Sequence, residues 1–269
     1  MRIRDLERSL FERFPREDAE SWDHVGLSVG MPDAEVAGIC VALDATEANV
    51  REAARIGANV LLTHHPVYIK APDAFAPASP ERPVSSAAIF TAAQLGVSIL
   101  SYHTNLDRSL EARKQLPSLL GLSPISSLEH PDDASAHGLG SLCEVSGALE
   151  LGELAQSCAG AFGTAPRVWG APRRSVERVA FLGGSLGSFG EDALAASADV
   201  VITGEAGYHV CQDLSLRGLS VILLGHDRSE EPFIDILMDA AIDAGATPST
   251  VRRISGAQQW WTVTDKELA

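Results

Sequence analysis

Short apolar runs alternate with helical patterns along this 269-residue chain. Two of these runs are "VAGICVAL" (36–43) and "ANVLLT" (58–63), and "TEANVREAARIG" between them predicts a helix with Thr46 as its N-cap. Near-continuous apolar runs of this length are typical of strands covered on both faces. A proline-rich irregular stretch (66–83), a helix over 84–95 and the strand "VSILSY" are predicted next. The alternation predicts an α/β protein with parallel or mixed sheets.

The second half of the chain repeats this series. "RVAFLGG", "ADVVIT" and "LSVILLG" are predicted strands, and helices are predicted from "SFGEDALAAS" and "EAGYHVCQDLSLRG". "GANVLLTHH" lies over "SADVVITGE", with residue 204 placed 140 positions after residue 64. "LGVSILSYHTNLD" likewise resembles "RGLSVILLGHDRSE", with His103 opposite His226 and a carboxylate, Asp107 or Glu230, four positions after each histidine. Any two βαβ units share some similarity, but this shared residue chemistry favours a duplication.

The remaining elements are predicted at the two ends of the chain. A first helix is expected from about Leu6 to Phe14, ended by Pro15, with a short strand in "SWDHVGLSVG" after it. "STVRRI" and "QQWWTVT" predict two closing strands, which are able to pack back on the first half. The Ser, Pro and Asp-rich stretch 122–137 marks the predicted boundary between halves 1–126 and 127–269.

Composition narrows the class of partner. The formal net charge is −15, only three lysines occur, and no basic stripe is visible, so nucleic acid is not expected as the main partner. No apolar stretch approaches the roughly 20 residues of a membrane helix, and the N-terminal pattern is not that of a signal peptide. The four cysteines form no CxxC pair, which favours buried reduced thiols and a cytoplasmic location.

Metal-type donors collect in three loops that follow predicted strands, where open α/β sheets hold their ligands. The three donor pairs are His64 with His65, His103 with Asp107, and His226 with Glu230. Each pair alone is common by chance, and the other histidines His24, His130 and His137 are interpreted as ordinary polar residues. The concentration of imidazole at three strand ends is what indicates a site.

The adjacency of His64 and His65 carries a geometric consequence. Neighbouring side chains in an extended segment point to opposite sides, so each imidazole is expected to reach its own ion. Nitrogen and oxygen donors without thiolate suit Zn, Fe(II), Mn or Ni and disfavour a cysteine-type structural zinc. Two divalent ions clamp an oxygen-containing substrate and activate water, which points to hydrolysis.

Eight stretches in order from Trp22 to Glu230 carry a family resemblance. They are "WDHVGL", "VALDAT", "LLTHHP", "HTNLD", "GLG", "FLGGSLGSF", "DVVITGEAGYH" and "GHDRSE". Together they resemble the dinuclear-metal proteins named GTP cyclohydrolase type-two homologues, the Nif-three-like family, in its compact form. The resemblance implies a toroidal homohexamer with internal metal sites. Departures at His24, where asparagine is usual, and at Asp227, where an aromatic residue or histidine is common, leave the proposed ligands intact.

The resemblance also implies roles for individual residues. Two divalent ions per chain, with Zn, Fe(II) or Mn expected, would be held by His64, His65, Asp107, His226 and Glu230. Glu230 would bridge the ions, and His103 would stand beside them as an acid–base group. The fold expected overall is two pseudo-repeated α/β halves with mixed sheets flanked by helices and the metal site between them.

Two functions remain open from the sequence. The first is a metal-dependent hydrolase acting on a nucleotide-like or phosphorylated small molecule, either opening a purine ring as a cyclohydrolase or cleaving a phosphoester. His103 or His209 would transfer protons in this hypothesis. The second is a non-enzymatic metal-binding or regulatory ring scaffold. A third, purely structural possibility is that the donors never converge.

Three other features have competing interpretations. "GGSLGSFG" (183–190) either offers backbone N–H groups to a phosphate or forms a tight turn. Tyr208 and His209 either touch substrate or pack in the core. Trp260 and Trp261 are predicted to make core and subunit contacts rather than to bind a ligand.

Overall fold

The computed structural model describes residues 1–254 and 260–261. The helices are α1 (Ile3–Arg13), α2 (Glu47–Arg55), α3 (Val84–Leu95), α4 (Thr104–Asp107), α5 (Leu110–Ser118), α6 (Leu151–Phe162), α7 (Phe189–Ala195), α8 (Tyr208–Leu216), α9 (His226–Glu230) and α10 (Phe233–Asp243). The strands are β1 (Gly26–Val29), β2 (Ile39–Ala42), β3 (Val60–Thr63), β4 (Ser98–Ser101), β5 (Pro124–Ser126), β6 (Ser141–Glu144), β7 (Arg167–Trp169), β8 (Arg178–Ser185), β9 (Val200–Glu205), β10 (Ser220–Leu223) and β11 (Val251–Arg253).

The first sheet has the strand order β1-β4-β3-β2-β11. Strands β4, β3, β2 and β11 pair in parallel, and β1 is antiparallel to β4 at one edge. The three central strands are buried along their whole length, as their apolar runs predict. Because they are parallel, their carboxyl ends lie at the same edge of the sheet.

The second sheet has the strand order β5-β6-β8-β9-β10-β7. Strands β8, β9 and β10 pair in parallel, whereas β5, β6 and β7 are joined in antiparallel pairs. Both sheets are therefore mixed, and the predicted class of two α/β halves with mixed sheets is confirmed.

The two halves share one series of elements. The series β2-α2-β3-α3-β4 in the first half has the same order and parallel pairing as β8-α7-β9-α8-β10 in the second. Strand β5 lies before the predicted boundary but pairs with β6 in the second sheet. Strand β11 lies in the second half of the chain and pairs with β2 in the first sheet. The chain thus crosses between the sheets near both of these points.

The largest apolar core joins residues of both sheets. It includes Leu62 and Leu100 from the first sheet, Phe181 and Ile202 from the second, and Leu237 of α10, all at most 1% exposed. Two smaller clusters cover the outer faces of the sheets beneath α2 and α3 and beneath α7 and α8. The shared core fixes the position of one sheet relative to the other.

Some local predictions need correction. Helix α1 starts at Ile3 rather than near Leu6, because the Asp5 carboxylate accepts the backbone N–H of Arg2 at 3.1 Å and caps the first turn. Trp260 and Trp261 lie outside any strand and are 44% and 65% exposed, so their prediction as core residues is wrong. The other residues of the predicted closing strand "QQWWTVT" fall outside the described residues.

Other predictions on the chain agree with the structure. Residues 66–83 contain no helix or strand. The four cysteines are buried free thiols, and burial raises the pKa of Cys143 and Cys158 to about 12. Among the residues that the structure describes, no helix is both long enough and apolar enough to cross a membrane.

Candidate metal centre

His64 follows β3 directly and is fully buried. Its Nδ1 lies 3.0 Å from the carbonyl oxygen of Tyr102, which can only accept a hydrogen bond, so Nδ1 carries the proton. The Nε2 lone pair therefore faces the interior, where it has no hydrogen-bond partner among the described residues. A buried imidazole nitrogen with a fixed tautomer and no partner has the chemistry of a metal ligand.

His65 is held between two carboxylates. Its Nδ1 lies 2.8 Å from Oδ1 of Asp44, two residues after β2, and its Nε2 lies 2.9 Å from Oε2 of Glu230. Burial lowers the pKa of His65, but the hydrogen bonds to Asp44 and Glu230 outweigh it and raise the pKa to about 10. A carboxylate on the outer nitrogen of an imidazole is the partner that metal-ligating histidines usually have.

Asp107 and His103 come from the loop and short helix after β4. Oδ1 of Asp107 lies 3.6 Å from Nε2 of His64, and burial raises the pKa of Asp107. The His103 ring lies 5.2 Å from the His64 ring and 5.6 Å from the His65 ring, between centroids. Its Nδ1 lies 3.1 Å from Oδ1 of Asp23, which orients the ring.

Helix α9 supplies His226 and Glu230. Four residues apart on a helix, they share one face, and Nε2 of His226 lies 3.1 Å from Oε2 of Glu230. The hydrogen bond to Glu230 outweighs burial and raises the pKa of His226 to about 9. Burial raises the pKa of Glu230, but the hydrogen bonds from His226 and His65 hold it well below its usual range.

Glycines make the room that α9 occupies. Strand β8 has an irregular register between Leu182 and Ser185, and Gly184 there adopts a φ of +62°. A Cβ at Gly184 would collide with Oε1 of Glu230, and one at Gly204 would lie 2.6 Å from Oγ of Ser229. The Gly184 N–H donates to Oγ of Ser229 at 2.9 Å, which ties β8 to α9. Gly184 therefore lets Glu230 approach β8 closely, and residues 183–185 of the glycine-rich segment are the end of that strand.

The donors of both halves meet at Glu230. Its Oε1 lies 3.7 Å from Nε2 of His64, and its Oε2 faces Nε2 of His65 and of His226. Within the part of the chain that the structure describes, three groups have ligand atoms within 4.8 Å of one another and could hold a metal ion. They are His64 with His65 and His103, His65 with His226 and Glu230, and His64 with Asp107 and Glu230. All five predicted ligands and His103 are thus brought together.

His209 is not part of this cluster. It lies exposed in the first turn of α8, with its ring 5.2 Å from that of the exposed Tyr208, between centroids. Neither residue packs in the core.

Sequence reasoning missed three carboxylates that hold the histidines from outside. Each contacts the Nδ1 atom of one histidine. Asp44 lies 2.8 Å from His65, Glu205 lies 2.9 Å from His226, and Asp23 lies 3.1 Å from His103. The sequence held a local indication of Asp44 and Glu205, because Asp44 follows the buried strand β2 and Glu205 ends the buried strand β9. Both strands lie beside strands that lead into the metal-type donors. Asp23 follows Trp22 in a loop and had no comparable local signal.

Two cavities adjoin the cluster. The first, of about 420 Å³, is lined by Asp107, Glu230, His226, His103 and Trp22. Its other walls are largely apolar or backbone, from Leu116, Phe181, Gly183, Phe189 and Phe233. The second, of about 610 Å³, lies on the Asp44 and Glu205 side and includes Trp260. The metal-type donors are therefore open to a small molecule.

Residues 1–249 match the sequence profile of Duf34/NIF3 (NGG1p interacting factor 3). The chain belongs to the Duf34/NIF3 family. A "GTP cyclohydrolase 1 type 2 homolog" of Streptomyces coelicolor is 30% identical over 242 residues, covering 87% of this chain and 84% of the relative. One of the same name from Clostridium perfringens is 27% identical over 236 residues, covering 87% and 88%.

Solved structures share this fold over nearly the whole chain. A Staphylococcus aureus hypothetical protein has a TM-score of 0.86 at 24% identity, covering 98% of this chain and 99% of its own. A Bacillus cereus protein related to NIF3 has a TM-score of 0.83 at 18% identity, with the same coverage. At these identities the likeness shows the fold, and the family resemblance of the motifs is confirmed by the profile.

Proposed function

We propose that this chain is a metal-dependent hydrolase that holds two divalent ions and acts on a nucleotide-like or phosphorylated small molecule. The observation that carries the proposal is the position of Glu230, whose two oxygens face different histidines at the wall of a cavity. Because a carboxylate can bridge two ions, this arrangement supports a division into two ligand sets that share Glu230.

The donor set fits a pair of divalent ions. His64 and Asp107 would hold one ion, and His65 and His226 the other, with Glu230 between them. The orphaned Nε2 of His64 supports this assignment because it has no other partner among the described residues. Imidazole and carboxylate donors suit Zn, Fe(II) or Mn. When bound, such ions polarise substrate oxygens and lower the pKa of water.

His103 is the proposed proton-transfer residue. Asp23 accepts hydrogen bonds from the backbone N–H and the hydroxyl of Thr104, which fix its carboxylate against Nδ1 of His103. Burial raises the pKa of Asp23, but the hydrogen bond with His103 helps hold it well below its usual range, so Asp23 stays ionised. Nδ1 then donates to Asp23, and Nε2 is free to accept a proton from a reacting group in the cavity.

The cavity supports a substrate with a planar, weakly polar part. Trp22 is 51% exposed, lines the cavity and lies 6.0 Å from the His103 ring, between centroids. Aromatic faces stack on flat heterocycles, and Phe181 and Phe189 add apolar surface to the lining of the same cavity. The names of the relatives point to GTP, which makes a purine nucleotide the first substrate to test.

Turnover by the metal-loaded protein tests this function. GTP, other nucleoside triphosphates and 4-nitrophenyl phosphate are offered, and product is followed for wild type, H64A, E230A and H103A. We expect H64A and E230A to lose turnover together with bound metal, whereas H103A keeps its metal and loses turnover by about 100-fold or more. H209A tests the sequence-based prediction of a second proton carrier, and H137A is a matched surface control.

Two outcomes would overturn the enzyme assignment. Full metal content without product from any of these substrates would favour a metal-binding or regulatory scaffold. Turnover that survives in E230A would place the reaction elsewhere.

A further inference from the structure

Trp260 contacts the segment that carries His226. Its indole N–H donates to Oδ1 of Asp227 at 3.1 Å, so the residue directly after His226 is bonded to a part of the chain 33 positions away. Its ring also lies against Gly225, because a Cβ built at Gly225 would be 2.9 Å from the ring carbon Cζ2. Trp260 therefore touches the residues on both sides of His226.

The start of α9 needs outside support. The helix has only five residues, its N-cap is Gly225 at a φ of +101°, and no side chain caps it. Of the two donors on α9, Glu230 is buried, whereas His226 keeps 38% of its side chain exposed. Short helices are marginal by themselves, so the orientation of the His226 ring depends on contacts made by this first turn.

Trp260 also stands on the outer side of the metal-type cluster. It lines the cavity of about 610 Å³ together with His65, His226 and Asp44. The chain reaches this place after β11, which pairs with the first sheet, whereas α9 contacts β8 and β9 of the second. Trp260 thus connects a segment that follows the first sheet to the helix that presents His226.

We propose that Trp260 is a positioning residue for His226, acting through the hydrogen bond to Asp227 and through ring contact with Gly225. The clamp formed by Trp260, Asp227 and Gly225 holds the first turn of α9 in the conformation that points Nε2 of His226 at Glu230. Its importance for metal binding rests on the proposed function, but the clamp itself is a property of the metal-free chain.

Amide hydrogen exchange of the metal-free protein tests the clamp directly. The amide protons of Ser229 and Glu231 bond to the carbonyls of Gly225 and Asp227, at 3.1 and 2.9 Å. We expect W260A to exchange them about three- to tenfold faster than wild type, the range of one net hydrogen bond. W261A removes the neighbouring, more exposed indole and should leave the exchange rates unchanged.

A double-mutant cycle separates the clamp from a general loss of stability. W260F keeps the ring but lacks the indole N–H, and D227A lacks the acceptor. If the hydrogen bond acts as proposed, the amide protons of Ser229 and Glu231 exchange no faster in W260F/D227A than in D227A alone. Additive effects of the two changes, or equal exchange rates in W260A and wild type, would overturn the clamp.

Zinc release to a chelator then links the clamp to metal binding. Release from W260A should be about three- to tenfold faster than from wild type and from W261A, at an unchanged temperature of unfolding. If wild type holds no zinc while W260A still accelerates amide exchange, the proposed function fails and the clamp stands. If wild type holds zinc while W260A matches it in both measurements, the clamp fails and the metal site of the proposed function stands.

Discussion

At the scale of single residues, the geometry of the candidate metal centre depends on a glycine that carries no functional group. Gly184 has a φ of +62°, and a Cβ there would collide with Oε1 of Glu230. We expect G184A to displace Glu230 and to lower the bound metal to less than half of the wild-type content, as measured by elemental analysis after dialysis. The strained φ adds about 1 kcal/mol or more of destabilisation.

Gly187 offers a matched control for this substitution. It lies in the same segment with a φ of +53°, and a Cβ there would meet nothing within 4 Å. G187A should therefore show the backbone destabilisation without the loss of metal. Equal metal content in the two variants would mean that Gly184 does not make room for Glu230.

A second residue-scale prediction concerns Glu129. Burial raises the pKa of Glu129, but the hydrogen bonds from Arg108 and the Leu139 amide outweigh it and lower the pKa. A lowered pKa in the folded state means that Glu129 stabilises the fold above its unfolded pKa, and that this contribution is lost as the pH falls through the folded value. The stability of the wild type should therefore depend on pH through this group.

Urea unfolding of wild type and E129Q at about pH 6 and about pH 3.5 measures the effect. At the higher pH we expect the free energy of unfolding to be larger for wild type than for E129Q. This difference between the two proteins should shrink at the lower pH. E17Q, at an exposed carboxylate that makes no hydrogen bond with Arg108, should show no such trend. A difference that grows on acidification would contradict the lowered pKa of Glu129.

At the scale of elements, the N-cap of α2 is a prediction from sequence that the structure confirms. Oγ1 of Thr46 accepts the N–H of Asn49 at 3.1 Å. T46A should lower the free energy of unfolding by about 1 kcal/mol, because one buried helix donor loses its partner. T247A is the control, since Thr247 precedes a short 3-10 helix without a side-chain capping bond. Equal losses in T46A and T247A would show that the cap contributes nothing.

The same scale shows how far the sequence predicts the fold. Buried parallel strands such as β3 and β9 have continuous apolar runs, so their positions were predictable from local pattern. The antiparallel strands β5 and β7 have only three residues each, and their burial patterns are mixed. They exist because β6 and β10 offer them edges, which is a tertiary effect that no local pattern records.

Only part of the candidate site could likewise be predicted from local sequence patterns. His64 and His65 were predictable because they end an apolar run, and the repeated pattern drew attention to His226 and Glu230. That Glu230 lies 2.9 Å from His65, 165 positions away, follows from the packing of one sheet on the other. The contact of Trp260 with Asp227 likewise needs the path of the chain after β11, which composition does not indicate.

At the scale of the whole molecule, the shared core brings the strand ends of both sheets to one place. The homohexamer implied by the resemblance stays a proposal. Light scattering after gel filtration should give about six times the chain mass of 28.4 kDa. Highly exposed apolar side chains such as Val84 and Leu216, at 86% and 83%, are the first positions to test for burial between subunits. A monomer mass at micromolar concentration would contradict the ring.

The central claim is that Glu230 joins two sets of donors into one dinuclear centre. Elemental analysis of the purified protein after exhaustive dialysis tests it most directly, with wild type, E230A and H137A compared side by side. We predict about two divalent ions per chain in wild type and in H137A, and less than one in E230A, because the shared ligand is removed. A wild-type protein without bound metal, or an E230A variant that is folded and retains both ions, would contradict it.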